Sequence, residues 1–207
     1  MTLDPKVAHA TKMKAQQDAQ AAKLAQMDEA TNGLMLVYTG AGKGKSSSAF
    51  GVAIRSLGWG HNVGVVQFIK GKWITGERQF FDRLAKSMEP ERLAWTTMGE
   101  GFTWDVQDLD RDIAAAKAAL ARGAEMMASG DFDLIIMDEI NIALRMNYLN
   151  ADEVLAACAG RSLRTSVILT GRNAPQALMD AADLVSEMTE IKHPFQSGIK
   201  AKRGIDF

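Results

Sequence analysis

A lysine and a hydroxyl, Lys45 and Ser46, follow a glycine-rich turn, Gly40-Ala41-Gly42-Lys43-Gly44, and much later in the chain two carboxylates, Asp138 and Glu139, stand side by side. These types in this order suit a polyphosphate. Glycines let backbone N–H groups converge on anionic oxygens, and the positive end of a following helix faces the same point. Lys45 would supply a point charge to phosphate oxygens, and the Ser46 hydroxyl a magnesium ligand. An apolar run that ends in two carboxylates is the usual magnesium-side partner of such a loop. The strict phosphate-loop signature has glycine where Thr39 stands, so the loop is a variant.

The elements that must position these groups alternate along the chain. Leu34 to Tyr38 reads as a buried strand feeding the turn. The helix opened by Ser46, Ser47 and Ser48 places Phe50, Ala53, Ile54 and Leu57 on one face, and Gly58 is its expected stop. Val63 to Ile69 is a second strand, followed by the loop Lys70-Gly71-Lys72-Trp73, whose lysines would sit at the ligand-gathering edge of an α/β sheet. Thr75 is an N-cap for a helix to about Met88 with Phe80, Leu84 and Met88 at four-residue spacing, and Pro90 ends it. Arg92 to Met98 is a strand. Phe102 and Trp104 in the next loop project to one side of an extended segment, either as a plug on the core or as a wall for a flat ligand.

Asp108 to Ser129 forms an alanine-rich helix closed by Gly130, and Phe132 to Met137 a strand. Asn150 and Glu153 form a capping box for a helix through Cys158 to Arg161. Ser166 to Thr170 is a strand, Asn173 caps a short helix with Pro175 in its first turn, and Leu184 to Thr189 is the last strand. The closing segment from Ile191 has no period, but Phe195, Ile199, Ile205 and Phe207 predict that it is anchored. The expected fold is α/β and phosphate-loop NTPase-like (RecA-like), a mainly parallel sheet of five or six strands with helices on both faces.

The chain of 207 residues is long enough for one sizeable core, residues 33–207, preceded by a polar, helix-prone extension, residues 1–32. A net charge of −1 gives no basic field for nucleic acid or an acidic membrane surface, and one cysteine excludes an intrachain disulfide framework. There is no membrane-spanning run and no apolar signal core, so a cytoplasmic protein is expected. The histidines, His9, His61 and His193, fall in the extension, a turn and the closing segment, and Cys158 has the apolar neighbours of a core residue. The site therefore lacks an obvious nucleophile. It would hold a nucleotide and neutralise charge while another reagent attacks. Phosphoryl transfer to water or a hydroxyl fits, and so does displacement at the ribose carbon with the phosphates leaving.

Beyond the loop, TGAGKGKSSSAFGVAIR, VGVVQFIKG, MGEGFTW, MDEI and KHPFQSGIKAKRGIDF together closely resemble the phosphate-loop ATP:corrinoid adenosyltransferases, over about Gly33 to Phe207. The resemblance implies that reduced corrinoid, as cobalt(I), attacks the 5′ carbon of ATP and that triphosphate leaves, with ATP lying in the loop in reversed sense relative to ordinary ATPases. It implies that Gly40, Ala41, Gly42, Lys43, Gly44, Lys45, Ser46 and Ser47 bind the triphosphate. Ser46 with Glu139 would hold magnesium or manganese, with Asp138 a weaker candidate, and Arg55 would contact the nucleotide. Phe102 and Trp104 match the family's aromatic pair at the corrinoid face. The family departures are Ala41 for an asparagine and Ser46-Ser47 for two threonines. A homodimer is implied, with the extension of one subunit capping the other's site, and a reduced flavoprotein as electron donor. The corrinoid would be cobyrinic acid a,c-diamide, cobinamide or cobalamin, with no nucleic acid and no membrane as partner.

Two rivals stand beside this. A generic phosphate-loop ATPase or kinase would give ADP. A RecA-like nucleic-acid module would use Lys192, His193, Lys200, Lys202 and Arg203 as a basic patch and show strongly salt-dependent DNA binding. If the aromatic pair crowds out the lower axial ligand of cobalt, replacing Phe102 and Trp104 with alanine spares activity on chemically prepared cobalt(I). The same change harms activity that depends on a protein reductant. Parallel anoxic assays of the two routes check this, and equal losses would sink it.

Overall fold

The structure, a computed structural model, describes residues 4–27, 32–68, 75–89, 92–97 and 109–206. By its internal contacts the chain divides into two units, residues 1–31 and 32–207. The first unit contains one helix, α1 (Pro5–Leu24). Asp4 caps it by accepting from the Lys6 backbone N–H at 2.9 Å, and Pro5 occupies the first turn, where a missing N–H costs nothing.

The second unit is an α/β layer structure. Its strands are β1 (Met35–Thr39), β2 (Val63–Gln67), β3 (Leu93–Thr97), β4 (Leu134–Asp138), β5 (Ser166–Thr170) and β6 (Leu184–Glu187). They form one sheet in the order β3-β2-β4-β5-β1-β6, and every pairing is parallel. A wholly parallel sheet must be covered on both faces, and its alternating side chains divide accordingly. Val37, Ile135, Met137, Val167 and Leu169 face one core, closed by α4 (Leu109–Ser129), α5 (Ile140–Arg145), α6 (Ala151–Ala159) and α7 (Gln176–Ala181). Tyr38, Val65, Leu134, Ile136 and Ile168 face the other, closed by α2 (Lys45–Gly58) and α3 (Gly76–Ala85).

Several expectations from sequence hold in detail. Thr75 caps α3 through the Arg78 N–H, the Asn150–Glu153 capping box is present, and Cys158 is buried. Others shift by a residue or more. The buried face of α2 is Ala49, Phe50, Ala53 and Leu57, while Ile54 is half exposed, because it lies about 100° round the helix from Ala53. On α3 the core residue is Phe81, and Phe80 points largely outward, since the packed stripe runs through Phe81, Leu84, Ala85 and Met88. Gly58 ends inside α2, and Gly60, at φ 83°, makes the turn. Pro175, not Asn173, stands at the α7 N-cap, and Asn173 takes a left-handed conformation. The short helix α5 follows Glu139 directly, where no helix was expected. In the closing segment Phe195, Ile199 and Ile205 are all exposed, so none of these three anchors it by burial, and Phe207 lies outside the described residues.

The Phe80/Phe81 difference is testable. Phe81 is 1% exposed and its ring lies 5.8 Å from that of Phe50 and 5.6 Å from that of Trp95. Phe81→Ala is expected to cost about 3–5 kcal/mol, and Phe80→Ala under about 1 kcal/mol. Urea denaturation of both variants measures the contrast, and reversed magnitudes would put the wrong phenylalanine in the core.

Candidate functional site

The site forms at the carboxyl edge of the sheet, where β1 runs into the glycine turn and α2 begins. The turn is braced from behind by the chain leaving β6. The Gly42 N–H donates to the Met188 carbonyl at 2.6 Å, and a side chain at Gly40, whose φ is 99°, would come within 2.4 Å of that same oxygen. Gly44, the α2 N-cap, has φ 109° and open space on its missing-side-chain side. No side chain caps α2, so its first-turn N–H groups remain for an incoming anion.

Lys45 opens α2 and is 7% exposed, with its Nζ donating to the Gly42 carbonyl. Burial lowers its pKa, Glu139 opposes that, and Arg172 and Lys43 add to it. Asp138 ends β4 at 2% exposure. Its Oδ1 accepts from Thr170 Oγ1 at 2.9 Å and its Oδ2 from Gln67 Nε2 at 3.2 Å, and it is also hydrogen-bonded to the Ser46 side chain. Burial raises its pKa, and those three hydrogen bonds resist the rise.

Glu139 follows in a left-handed conformation, φ 63°, with its N–H donated to Thr170 Oγ1 at 2.9 Å. That turn carries the chain from β4 straight into α5. Its Oε2 is buried with no hydrogen-bond partner. Burial, then the neighbouring Asp138, push its pKa up to about 7, against Lys45, Arg172 and Arg145.

Together these groups enclose a cavity of about 410 Å³ lined by Gly42 through Ser47, Gln67, Glu77, Asp138, Glu139, Arg172 and Asp206, among others. A larger cavity, about 510 Å³, lies among α4, α5 and α6 and contains none of the loop residues. Gly40 and Ala41 shape the turn, and Gly42, Lys43, Gly44, Lys45, Ser46, Ser47, Asp138 and Glu139 all border the cavity, as the sequence placed them. Arg55 does not. It sits exposed in the last turn of α2, roughly 15 Å along the axis from Lys45, because ten residues of helix separate them. Phe102 and Trp104, like Lys70 and Lys72, lie outside the described residues.

Gln67, Thr170, Arg172 and Asp206 are residues the sequence reading passed over. The signal for three of them was available: Gln67 and Thr170 are the last residues of β2 and β5, Arg172 follows two later, and ligands gather where parallel strands end. Asp206 had no such signal, since it arrives from the aperiodic closing segment.

Comparison with known proteins adds a second line. The family described as ATP:corrinoid adenosyltransferase BtuR/CobO/CobP matches residues 31–207. The corrinoid adenosyltransferase of Pseudomonas aeruginosa is 50% identical over 175 residues, covering 84% of each chain. The corrinoid adenosyltransferase CobA of Salmonella typhimurium is 41% identical over 186 residues, covering 90% of this chain and 91% of that one. A corrinoid adenosyltransferase of Sinorhizobium sp is 42% identical over 200 residues, covering 96% and 91%. Among solved structures, the KaiC-like protein PH0186 of Pyrococcus horikoshii OT3 aligns with a TM-score of 0.42 at 15% identity, covering 75% of this chain and 73% of that one.

The raised Glu139 pKa predicts a pH effect on the metal-free protein. Its folded value, about 7, exceeds the ordinary 4.5, so between those values the native state holds a proton that the unfolded chain releases. The contribution to stability is complete below the lower value and is lost as pH rises through about 7. Glu139→Gln should therefore lose less stability than the wild type between pH 5 and pH 8. Denaturant titrations in a chelator measure the two slopes, and identical slopes would remove Glu139 as their source.

Proposed function

The chain belongs to the ATP:corrinoid adenosyltransferase family, and from that premise we propose that it transfers the 5′-deoxyadenosyl group of ATP to the cobalt(I) of a corrinoid, releasing triphosphate. The observation that carries this reading onto these residues is the cavity itself. Among the described residues it joins an uncapped helix N-terminus and three cations, Lys43, Lys45 and Arg172, with no cysteine, histidine or serine–histidine pair along its walls. Such a site holds a polyanion and supplies placement and charge, while the nucleophile comes with the second substrate.

In the proposed reaction the cobalt(I) electron pair forms the cobalt–carbon bond at C5′ as the C5′–oxygen bond breaks, and the bonding pair of that C5′–oxygen bond leaves on triphosphate. The loop amides from Gly40 to Ser47 and the three cations take up the growing charge on the leaving oxygen. Ser46, Asp138 and Glu139 fit a magnesium or manganese ion. They are hard oxygen donors, Ser46 is already bonded to Asp138, and the buried Glu139 Oε2 lacks any donor. Among the described residues no three His, Cys, Asp or Glu side chains cluster as a ligand set, so phosphate oxygens and water would complete its shell. Bound there, the ion would neutralise triphosphate charge.

The remaining assignments follow from the family. Phe102 and Trp104 would form the corrinoid face. Arg55 would reach a nucleotide only with a side chain directed back along α2. Cobyrinic acid a,c-diamide, cobinamide and cobalamin are the candidate corrinoids. A homodimer, a reducing flavoprotein partner and a cytoplasmic location complete the proposal. No helix among the described residues is long and apolar enough to cross a membrane.

One observation favours a second reading. Glu139, with its unpaired buried oxygen and pKa about 7, is also a suitable group to orient a water at a γ-phosphate, as an ordinary ATPase requires. A product assay separates the two. With ATP, magnesium and chemically reduced corrinoid under anoxic conditions, triphosphate and a light-sensitive alkyl-cobalt species are expected. ADP and phosphate with the corrinoid unchanged would establish the ATPase reading. Lys45→Ala should lower kcat by about 10²-fold or more in the same assay, and Ser46→Ala should raise the magnesium concentration needed for half-maximal rate.

A further inference from the structure

Among the residues bordering the cavity, Asp206 is a carboxylate whose presence a polyphosphate site does not explain. Asp138 and Glu139 have a metal to balance them in the proposed site, but Asp206 is paired with a loop lysine. Its Oδ1 accepts from Lys43 Nζ, and its Oδ2 accepts from the Lys202 backbone N–H at 2.7 Å. Both interactions hold its pKa below the ordinary carboxylate range, so it is an anion at neutral pH. A triphosphate entering beside Lys43 meets this negative charge and competes with it for the same ammonium.

The segment that carries Asp206 is lightly tethered. Gly198 and Gly204 both have positive φ, 73° and 81°, at its two ends. Lys200 to Ile205 are exposed throughout, and Ile199 is 59% exposed. The backbone hydrogen bonds of this stretch are local, from Ile205 and Asp206 N–H to the Lys202 carbonyl and from Ile199 N–H to the Pro194 carbonyl. Among the described residues, the hydrogen bond that ties residues 200–206 to the rest of the unit is the one between Lys43 and Asp206.

We propose that Asp206 is a displaceable internal anion: it holds Lys43 until a polyphosphate takes that lysine, and the exchange releases residues 199–206 from the loop. The proposal rests on the phosphate-binding reading of the cavity and adds to it a carboxylate that works against tight retention of the triphosphate product. Because the pair is half exposed on the lysine side, the effect is modest and sensitive to salt.

The test is binding of inorganic triphosphate with magnesium to the full chain, measured by calorimetry for the wild type and for Asp206→Asn, which keeps the shape and removes the charge. The variant should bind about two- to fivefold more tightly, with the difference shrinking at high salt. Limited trypsin digestion gives an independent readout at Lys200, Lys202 and Arg203. Triphosphate should speed cleavage there in the wild type, and the variant should be cleaved fast without it. Equal or weaker binding by the variant overturns the proposal alone, as does protection of these sites in the wild type. A wild-type chain that binds no triphosphate overturns the phosphate-loop reading and the proposal together.

Discussion

Two ionisable groups buried at the end of an apolar sheet, Lys45 at 7% exposure and Asp138 at 2%, are the constraint on which the rest of the structure depends. An ion taken out of water costs several kcal/mol unless its hydrogen bonds are replaced. Here the replacements come from separate parts of the sheet. Thr170 from β5, Gln67 from β2 and Ser46 from α2 reach Asp138 on β4, and the Gly42 carbonyl after β1 receives Lys45. Thr170 is the pivot, since one hydroxyl donates to Asp138 and accepts from the Glu139 N–H. The strand order that places β4 between β2 and β5 is therefore a condition of burying Asp138 at all.

The same geometry explains why so little of the cavity is catalytic in the chemical sense. Satisfying Asp138 fixes its carboxyl group in place. Leaving Glu139 Oε2 unpaired keeps a receptive oxygen beside it, and the left-handed backbone at Glu139 aims that residue while starting α5. The cations sit on three different segments: Lys43 on the loop, Lys45 in the first turn of α2, Arg172 after β5. A polyanion bound among them would neutralise the repulsion by Arg172 and Lys43, which adds to burial in lowering the Lys45 pKa. Ligand binding and relief of this electrostatic strain are then one event.

Much of the fold was legible because apolar spacing and caps are local. The six strands, the Thr75 cap and the Asn150–Glu153 box each depend on residues within a few positions of one another. What failed were choices between neighbours. Phe80 against Phe81, or Ile54 against Ala49, is decided by the angle at which a helix meets the sheet, and spacing alone does not carry that angle. The loop and the paired carboxylates were legible for the same local reason. Gln67, Thr170 and Arg172 were not, because a polar residue at a strand end reads as a simple terminus until the sheet order shows which carboxylate it faces. The closing segment misled in the opposite way: of the apolar residues that implied a packed anchor, Phe195, Ile199 and Ile205 are exposed, and an aspartate and a lysine make a connection instead.

A site of this kind places its specificity outside the cradle. Backbone amides, an ammonium and a metal treat every triphosphate alike, so nothing around Lys45 distinguishes attack at phosphorus from attack at the ribose carbon. That choice belongs to whichever end of the nucleotide faces the second substrate, and to what excludes water there. The phosphate loop can thus serve hydrolysis in one protein and alkyl transfer in another with the same local residues. In this chain the loop and the paired carboxylates border one cavity, and a cradle of that composition leaves the choice of acceptor to contacts beyond it.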